Sequence, residues 1–524
     1  MAWTFDYASW FLLSISIAAA ALILAIRKKT RTPHPPGPTG LPFIGNLQVP
    51  DGQAWKTYRQ WGDMYGSDLI LIKTLGTSTL IINSMKAAKD LLEKRSAIYS
   101  DRSVPSANIT MLGELCGMDW GFGLQPYGAE WRDGRKAFQR VFSPSIVPIF
   151  RPTEIVEAHK LLRRLLRTPE DFISHLRLMA GSTSISIAYG INTLEENDPY
   201  ISHAEETMVA VNSTYPGAFL VDYFPLLKHV PEWFPGASFK TKARIWRESV
   251  MWTLHVPWDL VKNNLVRLME SAAKTLIQDI VDPAKDKAYM ERVARSAVAS
   301  IYVGEFITTS TLDTFILAMV LFPDIQREAQ KAVDRVCGDR LPEYSDYDNI
   351  PYVDALIREC LRWRSPLPLS VPHMVTQDDV YNGYFIPAKS IIFPNVKAML
   401  LDPDNYPEPE DFNPTRFLKQ SDSTSGPDLV LDNSVPDPSN IVFGFGRRVC
   451  PGRWLAYDSL WMAFASILSA FDISSLLDEY GRPIPPRDGC KGNFISYGLK
   501  FACNIMPRSS QHKELILAAA VSDI

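Results

Sequence analysis

The stretch FGFGRRVCPG at residues 443–452 restricts the fold of this 524-residue chain more than any other feature. Gly444 and Gly446 free the backbone to turn tightly and to aim N–H groups at a sulfur. Pro451 suits the first position of a helix that continues as GRWLAYDSLWMAFASIL. Cys450 is therefore expected at a helix start. There the positive end of the helix dipole, with Arg447, Arg448 and Arg453 nearby, favours thiolate, the form that binds metal. Arg448 is also placed to pair with an anionic group of a ligand. A buried, inert thiol beside a glycine turn is the alternative, and a lone cysteine does not decide between the two.

The chain has six cysteines, and Cys116, Cys337, Cys360, Cys490 and Cys503 join Cys450 at wide spacings with no C-x-x-C pair. That spacing argues against zinc ribbons, iron–sulfur frameworks and a disulfide-stapled secreted fold, and fits a reducing compartment. Length alone suggests about three domains of roughly 150 residues. No Gly/Ser-rich or charge-run linker divides the middle, however, so one large domain is expected. A net charge of −4 gives no basic excess for nucleic acid, which is excluded as an expected partner.

Residues 8–26, ASWFLLSISIAAAALILAI, carry no charge, and a spanning helix needs roughly 17–25 residues. A cleaved signal peptide, the alternative, would carry positive charge ahead of the apolar run. Here Asp6 precedes it and Arg27, Lys28, Lys29 and Arg31 follow. The expectation is a retained single-pass anchor over residues 1–32, with the bulk of the chain in the cytosol. The run PHPPGPTGLPFIGN predicts a stiff hinge within residues 33–50. Asn108 in NIT and Asn212 in NST match the glycosylation pattern, but this topology puts them away from the lumen, so both are read as unused.

Over the expected domain, residues 51–510, short β-like runs (DLILIKTL, STLIIN) predict a small sheet near the start. Helical periodicity dominates from residue 130 to 322. The longest pattern, residues 288–322, predicts one central helix that crosses the domain. Short strands and turns follow Pro366, residues 421–440 read as a surface meander, and residues 511–524 as a tail.

Phe443, Gly446, Arg448, Cys450 and Gly452 satisfy F-x-x-G-x-R-x-C-x-G, and this resembles the haem-binding loop of the cytochrome P450 superfamily. The family's other landmarks follow in order. Glu359 and Arg362 form an E-x-x-R pair, with Arg416 in Pro414-Thr415-Arg416-Phe417 as the third member of a structural clamp. Trp131 and Arg135 match the W-x-x-x-R whose members hold a haem propionate, and His373 stands where a further propionate donor is often found. The resemblance runs over residues 33–508. It implies a mainly α fold with a small β region, heme b (iron protoporphyrin IX) between the long central helix and the cysteine-loop helix, and Cys450 as the axial metal ligand. The segment VDYFPLLKHVPEWFPGASFKTKARIWRE looks most like fungal members of secondary metabolism.

A thiolate on haem iron favours O–O cleavage. The resemblance therefore implies a monooxygenase that inserts one atom of O2 into a small hydrophobic molecule, a terpenoid or an aromatic. It also implies NADPH-cytochrome P450 reductase as electron donor and an endoplasmic reticulum membrane, with membrane lipid as a further partner. Arg132, Arg135, Lys136, Arg140, Arg447 and Arg453 make a candidate basic face for steering that reductase, the alternative being solvated surface charge. The sequence departs from the family in the central helix, where A/G-G-x-D/E-T-T is usual and Val303-Gly304-Glu305-Phe306-Ile307-Thr308 stands opposite it. Phe306 and Ile307 replace the acid and the alcohol. Glu305 lies one residue early, turned by about 100°. Gly304, which permits close approach to bound oxygen, and Thr308, a hydroxyl one residue late, are the candidate catalytic residues. Three readings stay open: an oxygenase relaying protons through Thr308, water or substrate; an isomerase or dehydratase acting on a pre-oxidised substrate; and a non-catalytic membrane haem binder. Residues 111–124, 218–220, 303–308, 367–371 and 494–497 are expected to wall the substrate pocket, though such apolar stretches equally suit plain core.

Overall fold

The computed structural model describes residues 32–41, 44–46, 53–102, 109–215, 217–267, 269–279, 286–304, 306–421, 428–486, 489–491 and 494–522. The expected membrane segment, Asn108 and Glu305 lie outside the described residues. The body is helical. Helices Phe172–Tyr189 and Arg453–Ala470 are apolar around nearly their whole circumference and buried along most of their length, as inner helices must be. Helix Phe306–Leu321 packs against both and against Pro351–Trp363. Its Phe315 stacks on Phe464 with centroids 3.9 Å apart.

The central helix expected over residues 288–322 forms over Lys287–Leu321, described as Lys287–Val303 and Phe306–Leu321 on either side of residue 305. The Gly304 N–H bonds three residues back, to Ile301, at 3.0 Å, a local tightening of the turn. The run is apolar enough to cross a membrane, yet 69% of its most apolar window is buried inside the protein, so it is a core element.

The early sheet forms as expected. Strands Leu69–Thr74 and Thr77–Ile82 pair antiparallel, Leu69 opposite Ile82, across a two-residue turn in which Leu75 and Gly76 both take positive φ. Ile391–Pro394 adds in parallel and His373–Met374 closes the edge antiparallel, His373 opposite Ile392. That edge carries His373 to the helical body. Two expectations are corrected. The meander contains a strand, Leu429–Leu431, paired with Leu418–Gln420. The supposed tail is a helix, Ser510–Ser522, docked on Arg151–Arg167 through the fully buried Ile516.

The clamp is complete and dry. Glu359 and Arg362 are both fully buried, with Arg362 donating to the two carboxylate oxygens at 2.7 and 2.8 Å. Arg416 Nε and the Asn413 N–H also donate to Glu359, at 3.3 and 2.7 Å, and Arg362 reaches the Leu400 and Asp411 carbonyls. Removing one side of such a network strands the other in low dielectric. Arg362→Leu is expected to lower folding stability by about 3–5 kcal/mol, seen as a large fall in thermal midpoint; an unchanged midpoint would contradict the clamp.

Glu154 gives a second, pH-dependent prediction. It is fully buried between Ser459 Oγ and Tyr344 Oη, and the tyrosine also reaches the Asp458 carbonyl at 3.0 Å. Burial pushes its carboxyl up to about 8, against the pull of those hydrogen bonds. Unfolded, the group loses its proton near 4.5, so across that window the native state holds a proton that the unfolded state lacks. Its contribution to stability therefore falls as pH rises from about 4.5 to about 8 and is flat above. Glu154→Gln should flatten that decline in the thermal midpoint; matching slopes in variant and parent would refute it.

Candidate functional site

The cysteine loop is shaped by two left-handed glycines. Gly444 has φ +83° and Gly446 φ +53°, and a Cβ on Gly446 would run into the Leu92 carbonyl. The Cys450 N–H returns to the Phe443 carbonyl at 2.7 Å, closing the loop. Helix Arg453–Ala470 begins two residues later than expected, with Pro451 and Gly452 forming a turn before it. Burial pushes the Cys450 thiol up, and the Gly452 N–H, Arg135 and Arg453 only partly pull it back.

Cys450, Phe443, Arg448 and Gly452 face one cavity of about 330 Å³, which Trp131, Arg135, His373, Gly304 and Thr308 also line. Gly446 lies behind the loop, against residue 92 and outside that lining. Arg448 is 8% exposed, donates from Nε to the Ser100 carbonyl and from Nη2 to the Gln125 carbonyl, and lies 4.4 Å from the Trp131 ring. Its Nη1 is buried without a partner, and burial pulls its pKa down to about 10. Trp131 is held in turn by stacking on Phe122, 5.8 Å away and 8° from parallel.

A second buried guanidinium, Arg102, lines the same cavity and was missed from the sequence. It donates to the Pro372 carbonyl at 2.7 Å, and its Nε is also buried without a partner. Burial, then the charge of Arg448, push its pKa well below the usual guanidinium range. His373 is fully enclosed beside them, its Nδ1 2.8 Å from the Tyr99 carbonyl; burial and the same two arginines keep the ring neutral. Its Nδ1–H is thus spent on Tyr99 and Nε2 is left as an acceptor. Arg135 turns inward and donates to the Val449 carbonyl at 2.6 Å, bracing the loop.

Among the described residues no carboxylate lines this cavity. Two orphaned cationic donors around one end, and a sulfur on the loop beside them, make a cradle for a dianionic group that also carries a metal. The residues fit haem.

On the far side, Ser300, Ile301, Val303, Gly304, Ile307 and Thr308 present one broad helical face to the cavity. Thr308 is 9% exposed. Of the expected walls, Met118 to Leu124, Leu367 to Val371, and Phe494 with Ile495 contribute. Residues 218–220 do not: Phe219 packs on Trp246 in a separate cluster and Leu220 points outward at 65% exposure. Unforeseen wall residues come from Met179 to Ser184 and from Met208 and Val211. On the outer face Arg132, Lys136 and Arg447 are exposed, whereas Arg140 is paired with Asp279 at 2.7 Å.

Comparison with known proteins agrees with this geometry. The Cytochrome P450 family matches residues 35–489. Cytochrome P450 monooxygenase ple1 of Rhodocybe pseudopiperita is 39% identical over 505 residues, 95% of this chain and 94% of its own. Cytochrome P450 monooxygenase COX1 of Coprinopsis cinerea is 38% identical over 522 residues, 96% and 98% respectively. Tryptamine 4-monooxygenase of Psilocybe cyanescens is 36% identical over 509 residues, 95% and 98%.

Gly446→Ala should be among the most damaging single-methyl changes in the chain. Left-handed strain and the clash with the Leu92 carbonyl add, for about 3 kcal/mol or more. The expected outcome is protein purified with little bound haem and a lowered thermal midpoint; full haem content would refute the tight-approach argument.

Proposed function

The chain belongs to the cytochrome P450 family, whose members carry haem b on an axial cysteine thiolate, and on that premise we propose that Cys450 is the axial ligand here. The chain is a haem-thiolate monooxygenase, with dioxygen, an organic substrate and a redox partner. When bound, the haem supplies the activation of dioxygen and the insertion of one oxygen atom. What this chain's residues do is hold, orient and exclude.

Arg448 and Arg102 would hold the propionates through their unpartnered Nη1 and Nε. That single observation carries the reading, because two buried guanidinium nitrogens without a hydrogen-bond partner, both on residues lining one cavity, call for an anion. A carboxylate placed there offsets the repulsion on His373 and lets its Nε2 take up a proton and donate. Trp131 keeps the Arg448 plane in place, and Arg135 holds the loop that presents the sulfur. Gly304, a cavity-lining residue without a side chain, would leave room for dioxygen. Thr308, which lines the cavity and whose hydroxyl has no hydrogen-bond partner among the described residues, would hold and pass on a proton at its Oγ1.

The substrate is a neutral hydrophobic small molecule, a terpenoid or an aromatic. The support is the wall itself: Met118, Phe122, Leu124, Met208, Val211, Ile301, Val303, Ile307, Val371, Phe494 and Ile495 leave few polar groups to recognise. Fungal secondary metabolism is the setting, supported by the fungal relatives. Electrons come from NADPH through NADPH-cytochrome P450 reductase, which approaches Arg132, Lys136, Arg447 and Arg453. The first 32 residues anchor the chain in the endoplasmic reticulum membrane with the catalytic domain facing the cytosol, as their charge asymmetry supports. A second reading, rearrangement or dehydration of a pre-oxidised substrate, is favoured by one observation: Ile307, not an alcohol, lines the cavity at the usual alcohol position.

Two substitutions test the assignment. Cys450→Ser should abolish the thiolate-type reduced, carbon-monoxide-bound spectrum, and its survival would overturn the ligand assignment. Thr308→Val should cut product per NADPH by roughly tenfold or more while NADPH oxidation continues; unchanged coupling would exclude the Thr308 route, and product formed without dioxygen would favour the rearrangement.

A further inference from the structure

The loop carrying Phe494 and Ile495 closes the cavity and is pinned from several sides. The Ser496 N–H donates to the Pro366 carbonyl at 2.8 Å. The Ser496 carbonyl accepts from Ser310 Oγ at 2.6 Å, on the helix that carries Thr308. The remaining pin comes from the end of helix Pro199–Ser213. Asn212 Oδ1 accepts the N–H groups of both Phe494, at 3.3 Å, and Ile495, at 3.0 Å. Neither amide has another acceptor among the described residues, and the neighbouring strand pair Cys490–Lys491 with Tyr497–Gly498 does not include them.

Asn212 is the penultimate residue of helix Pro199–Ser213, which sends Met208 and Val211 into the same cavity. The helix end beneath it is fixed by Thr214 Oγ1 donating to the Ala210 carbonyl at 2.8 Å. One side-chain oxygen thus ties two adjoining walls together, Met208 and Val211 on one, Phe494 and Ile495 on the other. Taking two consecutive amides also fixes the direction in which the Phe494 and Ile495 side chains leave the backbone. All four wall side chains are apolar, so they discriminate by shape and length, not by charge.

We propose that Asn212 is a specificity-determining positioning residue: its Oδ1 sets the separation of these two walls and so the length of apolar ligand that the cavity accepts above the haem. This rests on the haem-thiolate reading. It also gives the N-S-T motif a use, since the amide is engaged at the cavity wall.

The test uses the haem-loaded full chain and a graded series of 1-alkylimidazoles, from methyl to dodecyl, which bind iron and extend their chains into the cavity. Optical titration of the native protein should show an optimum chain length. Asn212→Leu, and Asn212→Ala as a smaller alternative, should weaken the optimal ligand by about tenfold and flatten the profile. Affinity for 1-methylimidazole and the reduced carbon-monoxide spectrum should stay unchanged. Asn212→Asp retains an acceptor and should retain the optimum. A profile in Asn212→Leu and Asn212→Ala identical to the native one overturns the proposal, as does Asn212→Asp behaving like Asn212→Leu. A native protein without the thiolate spectrum overturns the haem reading and this proposal with it, an outcome read separately from chain-length preference.

Discussion

Arg448 is held by two backbone carbonyls and the face of Trp131, beside a second enclosed guanidinium and a neutral histidine. Burying like charges together is costly, because low dielectric both desolvates them and strengthens their repulsion. Asp101 acts on Arg448 from outside the lining, but no carboxylate among the described residues lines the cavity itself. The fold therefore carries a local charge imbalance that a dianionic ligand corrects, so occupation of the site and stability of this region are coupled. The elements that deliver these groups are far apart in the chain: the loop at Arg448, the end of the first helical region at Arg102, and the sheet edge at His373. Their meeting depends on the edge strand His373–Met374, itself positioned by pairing with Ile391–Pro394.

The same coupling explains Cys450. Judged from its neighbours, a helix start and several arginines, the sulfur should be anionic. In the folded chain burial outweighs them and its pKa is raised. Coordination to a metal at this sulfur would supply what local electrostatics does not.

The parts of the site legible in sequence were those whose physics is local. The glycine turns of 443–452, the three-residue spacing of Glu359 and Arg362, and the Trp131 to Arg135 helix are all short-range patterns, and each takes the expected shape. Arg102 was not legible, since no motif surrounds it and its importance arises from Arg448 across hundreds of residues. Asn212 was legible only as a glycosylation pattern, because its partners are backbone amides near the other end of the chain. Residues 218–220 failed as wall residues for the converse reason, apolar composition being equally served by packing on Trp246. Helix Ser510–Ser522 is short, and the surface that orders it belongs to Arg151–Arg167.

The central helix shows why a one-residue departure from a family pattern need not remove the function of that pattern. A shift of one position rotates a side chain by about 100°, which on a narrow helical face would turn a hydroxyl away from the site. Here the face is broad: Ile307 and Thr308 both reach the cavity, as do Gly304 and Val303 one turn earlier. Neighbouring hydroxyls are otherwise engaged. Ser310 is bound to the Ser496 carbonyl, while Thr311 and Thr314 return to carbonyls of their own helix. Thr309 does not line the cavity. Thr308 is left as the side-chain hydroxyl from Phe306–Leu321 that lines the cavity, with Gly304 lining it one turn earlier.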